Sequence, residues 1–81
     1  MWTEANHTLS RSFVFHDFRE AFAFMALVAF SAEKMNHHPD WRNAWNKVDI
    51  HLSTHDAGNK VTEKDRLLAA EIDKIYERFA A

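Results

Sequence analysis

A single proline, Pro39, separates a segment with helical periodicity from a segment with strand periodicity. Before it, apolar residues recur at spacings of three and four, which predicts one apolar stripe along a helix. The stripe consists of Phe18, Ala21, Phe22, Met25, Val28, Ala29 and Ala32. Asp17 is a suitable N-cap, so the helix is predicted to run from there to about Met35. Proline disfavours helical backbone at the residue before it, so the helix should end before His37 and His38.

The segment after Pro39 is predicted to form a hairpin of two strands. Apolar and polar residues alternate over residues 48–53, which indicates a strand with one buried face. The apolar positions are Val48, Ile50 and Leu52. A partner strand is predicted over residues 41–45, with Asn46-Lys47 as the turn between the two.

The two ends of the chain complete the pattern. Residues 2–5 and 9–15 are predicted to be strands joined by a turn at Asn6-His7, because the second segment contains good strand formers. A last helix is predicted from Thr62, with Asp65 near the position of a capping box. Its apolar face is predicted to contain Leu67, Leu68, Ile72, Ile75, Tyr76 and Phe79. The order β-β-α-β-β-α predicts an α+β fold, a four-stranded antiparallel sheet with the helices packed on one face.

Size and charge narrow the class of protein. The chain has 81 residues, so we predict one domain over residues 1–81, whose small core favours a homo-oligomer. The net charge of −2 gives no electrostatic footprint for nucleic acid or an anionic membrane. There is no cysteine, and Met1-Trp2-Thr3-Glu4 does not resemble the start of a secretory signal. The apolar stretch over residues 22–32 is too short to span a bilayer, so we expect a cytoplasmic protein.

Histidines are the conspicuous candidates for chemistry, because four of the six lie within nineteen positions: His37, His38, His51 and His55. His37 follows a helix end, and Glu33 lies four residues earlier, so both would favour a protonated ring that suits a general acid. The alternative is that His37 only caps the helix. His51 is predicted to point away from the apolar face of its strand, as a solvated or interface residue.

A metal site is disfavoured by the same residues. There is no cysteine, and side chains of adjacent histidines diverge. His51 and His55 are about 13 Å apart along an extended chain, too far to share one ion. Trp41 has two interpretations, either a core residue or one wall of a pocket for a flat heterocycle. Asp65 has an alternative interpretation as a helix-cap residue.

The stretch Glu33-Lys34-Met35-Asn36-His37-His38-Pro39-Asp40-Trp41 resembles the pterin-4a-carbinolamine dehydratase family. The family pattern has an acidic residue, three others, His-His-Pro, an aromatic residue, a later histidine and an aspartate. Its positions are matched by Glu33, His37-His38-Pro39, Trp45, His55 and Asp65. Residues 18–25, 46–48 and 52–55 also resemble the family, so the resemblance covers nearly the whole chain.

The resemblance implies a dehydratase that converts a 4a-hydroxytetrahydropterin to quinonoid dihydropterin and water, in tetrahydrobiopterin recycling. It implies no metal and no organic cofactor. His37 and His55 would transfer protons, His38 would orient the pterin, and all three should converge on one cavity. Trp41 would wall the site. The full set of substrate-binding residues is predicted to be Glu33, Asn36, His38, Pro39, Trp41, Ser53, Thr54, Asp56 and Asp65.

The resemblance also bears on partners. The family includes the dimerisation cofactor of hepatocyte nuclear factor 1, so the alternative function is a protein-binding dimerisation cofactor or transcriptional coactivator. The expected partners are the pterin and a second copy of the chain, in a dimer or tetramer. An aromatic amino acid hydroxylase or a transcription factor is a further candidate partner.

Overall fold

The computed structural model describes residues 1–79, so Ala80 and Ala81 of the predicted domain lie outside the described residues. The elements are β1 (Thr3–Ala5), β2 (Thr8–Val14), α1 (Phe18–Met35), β3 (Asp40–Ala44), β4 (Lys47–Leu52) and α2 (Glu63–Glu77). A short 3-10 turn at His55–Ala57 lies between β4 and α2. The predicted α+β class and the order β-β-α-β-β-α are confirmed. Within the described part of the chain, no helix is both long and apolar enough to cross a membrane.

The four strands form one antiparallel sheet in the order β1-β2-β4-β3. The two hairpins therefore lie side by side, joined by the pairing of β2 with β4, and β1 and β3 are the outer strands. Except for Arg11, which bonds to Asp73 of α2, the inward positions of the central strands are buried and apolar: Leu9, Phe13, Val48, Ile50 and Leu52. Both helices cover this face, and the opposite face of β2 and β4 carries polar side chains such as Ser10 and His51.

The face that helix α1 presents to the core overlaps the predicted stripe at Ala21, Val28 and Ala32, but it is rotated toward Phe24. Its buried residues are Ala21, Phe24, Val28 and Ala32, whereas Phe18, Phe22 and Ala29 of the predicted stripe are exposed. Apolar residues lie almost all round this helix, so spacing alone did not identify the core side. Phe24 is selected by its partners, because its ring lies 5.0 Å from that of Phe13 and 4.9 Å from that of Phe15.

Two further predictions, the strand over residues 41–45 and the apolar face of the last helix, are each wrong at one residue. Trp45 lies in the turn between β3 and β4 with a φ of 51°, and it is 67% exposed. The backbone N–H of Phe15 donates to the carbonyl of Asn46 at 2.8 Å, and the Asn46 side chain donates back to the Phe15 carbonyl at 2.9 Å. These bonds hold the turn at Trp45-Asn46, one residue earlier than predicted. On α2, Leu67 is exposed, and the buried apolar face uses Leu68, Ala69, Ile72 and Ile75.

Candidate active site

The two adjacent histidines that follow the C-terminal end of α1 lie in different surroundings. Asn36 adopts the left-handed conformation with a φ of 51°, which asparagine tolerates better than most residues. The backbone N–H of His37 donates to the carbonyl of Ala32 at 3.0 Å, which closes the helix end. Beyond this turn His37 is only 8% exposed, whereas the side chain of His38 is 59% exposed. The helix cap therefore uses the His37 backbone and leaves its imidazole free for another partner.

That partner is Asp65 at the start of α2, whose Oδ1 lies 2.5 Å from Nε2 of His37. The predicted pairing of His37 with Glu33 is wrong, because Glu33 contacts His38 instead, with Oε1 at 2.8 Å from Nε2. The i, i+4 rule holds along a continuous helix, and the left-handed residue Asn36 breaks the helix before His37. Each histidine is thus paired with a carboxylate, one inside the protein and one at its surface.

The carboxylate of Asp65 is completely buried and fully hydrogen-bonded. Its Oδ2 accepts from the backbone N–H of Thr62 at 2.8 Å, as in a capping box, and from the hydroxyl of Thr54 at 2.8 Å. Burial by itself raises the pKa of Asp65. The hydrogen bonds from His37 and the two threonines outweigh that effect and hold the pKa below its usual value of 3.8. Asp65 is therefore ionised at neutral pH, and the ring of His37 donates to it.

An apolar groove of about 460 Å³ opens beside the exposed histidine. The groove is lined by Ala29, Phe30, Ala32, Glu33, His38, Pro39 and Trp41. Trp41 is cross-strand neighbour to Ile50 and packs partly against the core, so it is both a core residue and a groove wall. A groove with apolar walls and a few polar groups at one end suits a flat, polar-edged heterocycle.

Three residues of this groove were not predicted as site residues: Ala29, Phe30 and Ala32. Phe30 is 73% exposed, and it lies with Ala29 on the face of α1 that leads to Glu33. The helical spacing contains the signal, because Phe30 is three residues before Glu33 and so lies on the same side of the helix.

The predicted site residues divide between this groove and other places. His55 is exposed at the start of the 3-10 turn, with Nδ1 at 3.2 Å from Oδ1 of Asn59. It directly follows Thr54, whose hydroxyl donates to Asp65. Neither His37 nor His55 lines the groove, so the convergence of three histidines on one cavity stays a prediction.

Three other predicted substrate-binding residues lie away from the groove. Ser53 lines a concavity on the polar face of the sheet, together with Asp40 and His51. Asp56 is exposed in the 3-10 turn, and Asn36 occupies the helix cap. His51 is exposed, as predicted, and its Nδ1 lies 2.8 Å from the hydroxyl of Ser10. Over residues 1–79, no three histidine or acidic side chains are grouped so that they could hold a metal ion.

Comparison with known proteins gives a consistent picture. The family model for pterin 4 alpha carbinolamine dehydratase matches residues 1–75. A Rhodospirillum rubrum protein named "Putative pterin-4-alpha-carbinolamine dehydratase" is 56% identical over 73 residues, which is 90% of this chain and 75% of that protein. A Solibacter usitatus protein with the same name is 51% identical over 74 residues, covering 91% of this chain and 77% of its own.

Solved structures show the same likeness. A crystal structure described as a transcriptional coactivator/pterin dehydratase from Brucella melitensis superimposes with a TM-score of 0.86 at 46% identity, covering 91% of this chain and 80% of that one. A pterin dehydratase-like protein described as a RuBisCO assembly factor of the alpha-carboxysome has a TM-score of 0.75 at 22% identity, covering 93% and 86%. The second likeness is one of fold alone.

Proposed function

Because the chain belongs to the pterin 4 alpha carbinolamine dehydratase family, we propose that it removes water from 4a-hydroxytetrahydropterins to give quinonoid dihydropterins. The proposed substrate is the type of compound that aromatic amino acid hydroxylases release. The observation that carries the proposal is the buried pair of His37 and Asp65 at the same helix end as the apolar groove beside His38.

The reaction needs two proton transfers and no redox change. The bond between C4a and the hydroxyl oxygen breaks, and its electron pair leaves with the oxygen. A proton delivered to that oxygen makes the leaving group water. Removal of the N5 proton lets the N5 electron pair form the double bond to C4a. An acid and a base, each operating near neutral pH, are therefore sufficient, and imidazoles meet this requirement.

His37 is proposed to exchange one of these protons. Its Nε2 donates to the ionised Asp65, which fixes the tautomer of the neutral ring and leaves Nδ1 to accept a proton. Within residues 1–79, Nδ1 of His37 makes no hydrogen bond. His55 is proposed to make the second proton transfer. Its ring is exposed, and its contact with Asn59 uses Nδ1 and not Nε2.

The groove residues are proposed to bind the pterin. Trp41 and Phe30 supply aromatic walls, and Pro39 supplies a rigid edge. His38 is held by Glu33, which orients its ring at the polar end of the groove. Contact of His38 with the ligand would therefore affect substrate binding more than the chemical step. Asp65 is proposed to support the site through its hydrogen bond to His37, without contacting the ligand.

Turnover of a synthetic 4a-carbinolamine by the purified protein tests the proposal. Replacing His37 or His55 with Ala should lower kcat by about 10²–10⁴-fold, the usual contribution of an acid or base. Replacing His38 with Ala should mainly raise KM. His51→Ala is the matched control, because His51 is an exposed histidine on the opposite face of the sheet. No turnover by the wild-type protein, or equal damage from His51→Ala and His37→Ala, would refute the assignment.

Self-association is also proposed. Phe22 is 59% exposed and lies beside the exposed Phe18, with ring centroids 5.9 Å apart, on the face of α1 away from the core. An apolar face of this kind favours burial against another subunit. Light scattering at micromolar concentration should give the mass of a dimer or tetramer, and a monomeric mass would contradict the proposal.

A further inference from the structure

Asp65 receives hydrogen bonds from three separate parts of the chain. His37 follows α1, Thr54 follows β4, and Thr62 is the N-cap of α2. The hydroxyls of Thr54 and Thr62 also lie 2.5 Å apart. The start of α2 is thus joined through one buried carboxylate to the histidine proposed to transfer a proton.

The hydroxyl protons in this cluster have one consistent direction. Thr54 has a single hydroxyl proton, which it donates to Oδ2 of Asp65. In the contact between the two threonines, Thr54 must then accept, so Thr62 is the donor. The result is a chain of donors that runs from Thr62 through Thr54 to the carboxylate. Hydrogen bonds aligned in this way strengthen one another in a buried setting.

We propose that Thr54 and Thr62 are positioning residues, which keep Asp65 ionised and oriented and thereby fix the ring of His37 with Nε2 as the donor. This inference rests on the proposed function for its kinetic consequences, and its structural part stands without it. The helix cap of α2 then has a second role, since the carboxylate that accepts from the Thr62 backbone also holds His37. This proposal gives Thr54 a role through Asp65 in place of the substrate contact that the resemblance implies, because Thr54 is buried and its hydroxyl donates to Asp65.

A purely structural role for the threonines predicts a different result. If the hydroxyls only stabilise the start of α2, their loss should change the unfolding midpoint and leave the titration of Asp65 and the tautomer of His37 unchanged. Two spectroscopic readouts therefore separate the roles. They are the ¹³C titration of the Asp65 carboxyl and the ¹⁵N shifts of the two His37 ring nitrogens.

Thr54→Val is the main variant, because it keeps the shape of the side chain and removes the hydroxyl. Loss of this donor should raise the titration midpoint of Asp65 and reduce the population of the Nε2-protonated tautomer of His37. With the carbinolamine as substrate, kcat should fall about tenfold with little change in KM, the effect expected for one hydrogen bond. Thr54→Ser restores the hydroxyl and should restore all three readouts.

Thr62→Ala provides a second test if Thr54→Val folds poorly. It removes the first donor of the chain and keeps the backbone N–H that donates to Asp65. The same readouts should move in the same direction by a smaller amount, about two- to fivefold in kcat. Thr3→Val, on the exposed strand β1, is the matched control and should change none of them.

The NMR measurements need no substrate, so they remain informative if the chain has no dehydratase activity. Unchanged Asp65 titration and His37 tautomer in both Thr54→Val and Thr62→Ala would overturn the inference, even with an active wild-type enzyme. If the wild-type protein is inactive but the two NMR readouts shift as expected in the variants, the proposed function is refuted and the positioning role is retained.

Discussion

His37 and His38 are neighbours in sequence, and each contacts a carboxylate, yet the two pairs differ in almost every physical respect. His37 and Asp65 are buried, and the carboxylate is held by donors from two further segments. His38 and Glu33 are exposed, with side-chain exposures of 59% and 79%, and Glu33 lies on the same helix end. The inner pair is fixed by tertiary structure, whereas water surrounds the outer pair.

The difference assigns different tasks to the two histidines. A buried ring with one fixed partner has a defined tautomer, which suits a group that gives or takes a proton at one atom. An exposed ring paired with an exposed carboxylate is accessible to a ligand that enters the groove. Solvent also screens the outer pair, so its contribution to stability should be small compared with that of the inner pair.

Removal of the inner carboxylate should give the largest effect. Asp65→Ala leaves His37 without its partner and removes the acceptor for both threonine donors, so the free energy of unfolding should fall by about 3–5 kcal/mol. Urea denaturation followed by circular dichroism measures this change. A loss below about 1 kcal/mol would mean that the inner pair resembles an exposed one.

Acid should remove part of the same stabilisation. Because the folded-state pKa of Asp65 is lower than its usual value of 3.8, the ionised carboxylate stabilises the fold above that value, and the contribution disappears as the pH falls through the lowered pKa. The difference in unfolding free energy between the wild type and Asp65→Asn should therefore be constant at neutral pH and shrink below about pH 4. A difference that grows on acidification would contradict the sign of the shift.

Loss of the outer carboxylate should give the smallest effect. Glu33→Ala removes an exposed ion-pair partner, so the free energy of unfolding should change by no more than about 1 kcal/mol. The Michaelis constant should rise, because the ring of His38 is no longer oriented at the groove. A stability loss equal to that of Asp65→Ala would remove the distinction between the pairs.

The fold was largely predictable because local patterns decide it. Alternation in β4 and the cap residues Asp17 and Thr62 depend on nearby sequence, and the structure places each strand within one residue of its predicted range. The core face of α1 was not predictable in this way. Phe18, Phe22 and Phe24 are equally apolar, and Phe24 is distinguished only by the rings that pack on it, those of Phe13, Phe15, Tyr76 and Phe79.

The main polar residues of the site were predictable, whereas their contacts with one another were less so. The resemblance named both histidines and both acidic residues, but their pairing depends on one left-handed residue, Asn36, which moves His37 away from Glu33. The role of Thr54 depends on a contact with Asp65, eleven residues away, across a loop. Neither spacing nor propensity contains that information, because it arises when α2 docks against the end of β4.

A structure of the protein with a bound dihydropterin analogue would show directly where the pterin binds. We expect the ring system in the groove between Trp41 and Phe30, with its C4a edge within hydrogen-bonding reach of His37 and His55, and His38 on its polar rim. Thr54 should not contact the analogue. An analogue bound on the polar face of the sheet beside His51, with an empty groove, would contradict the assignment of the site.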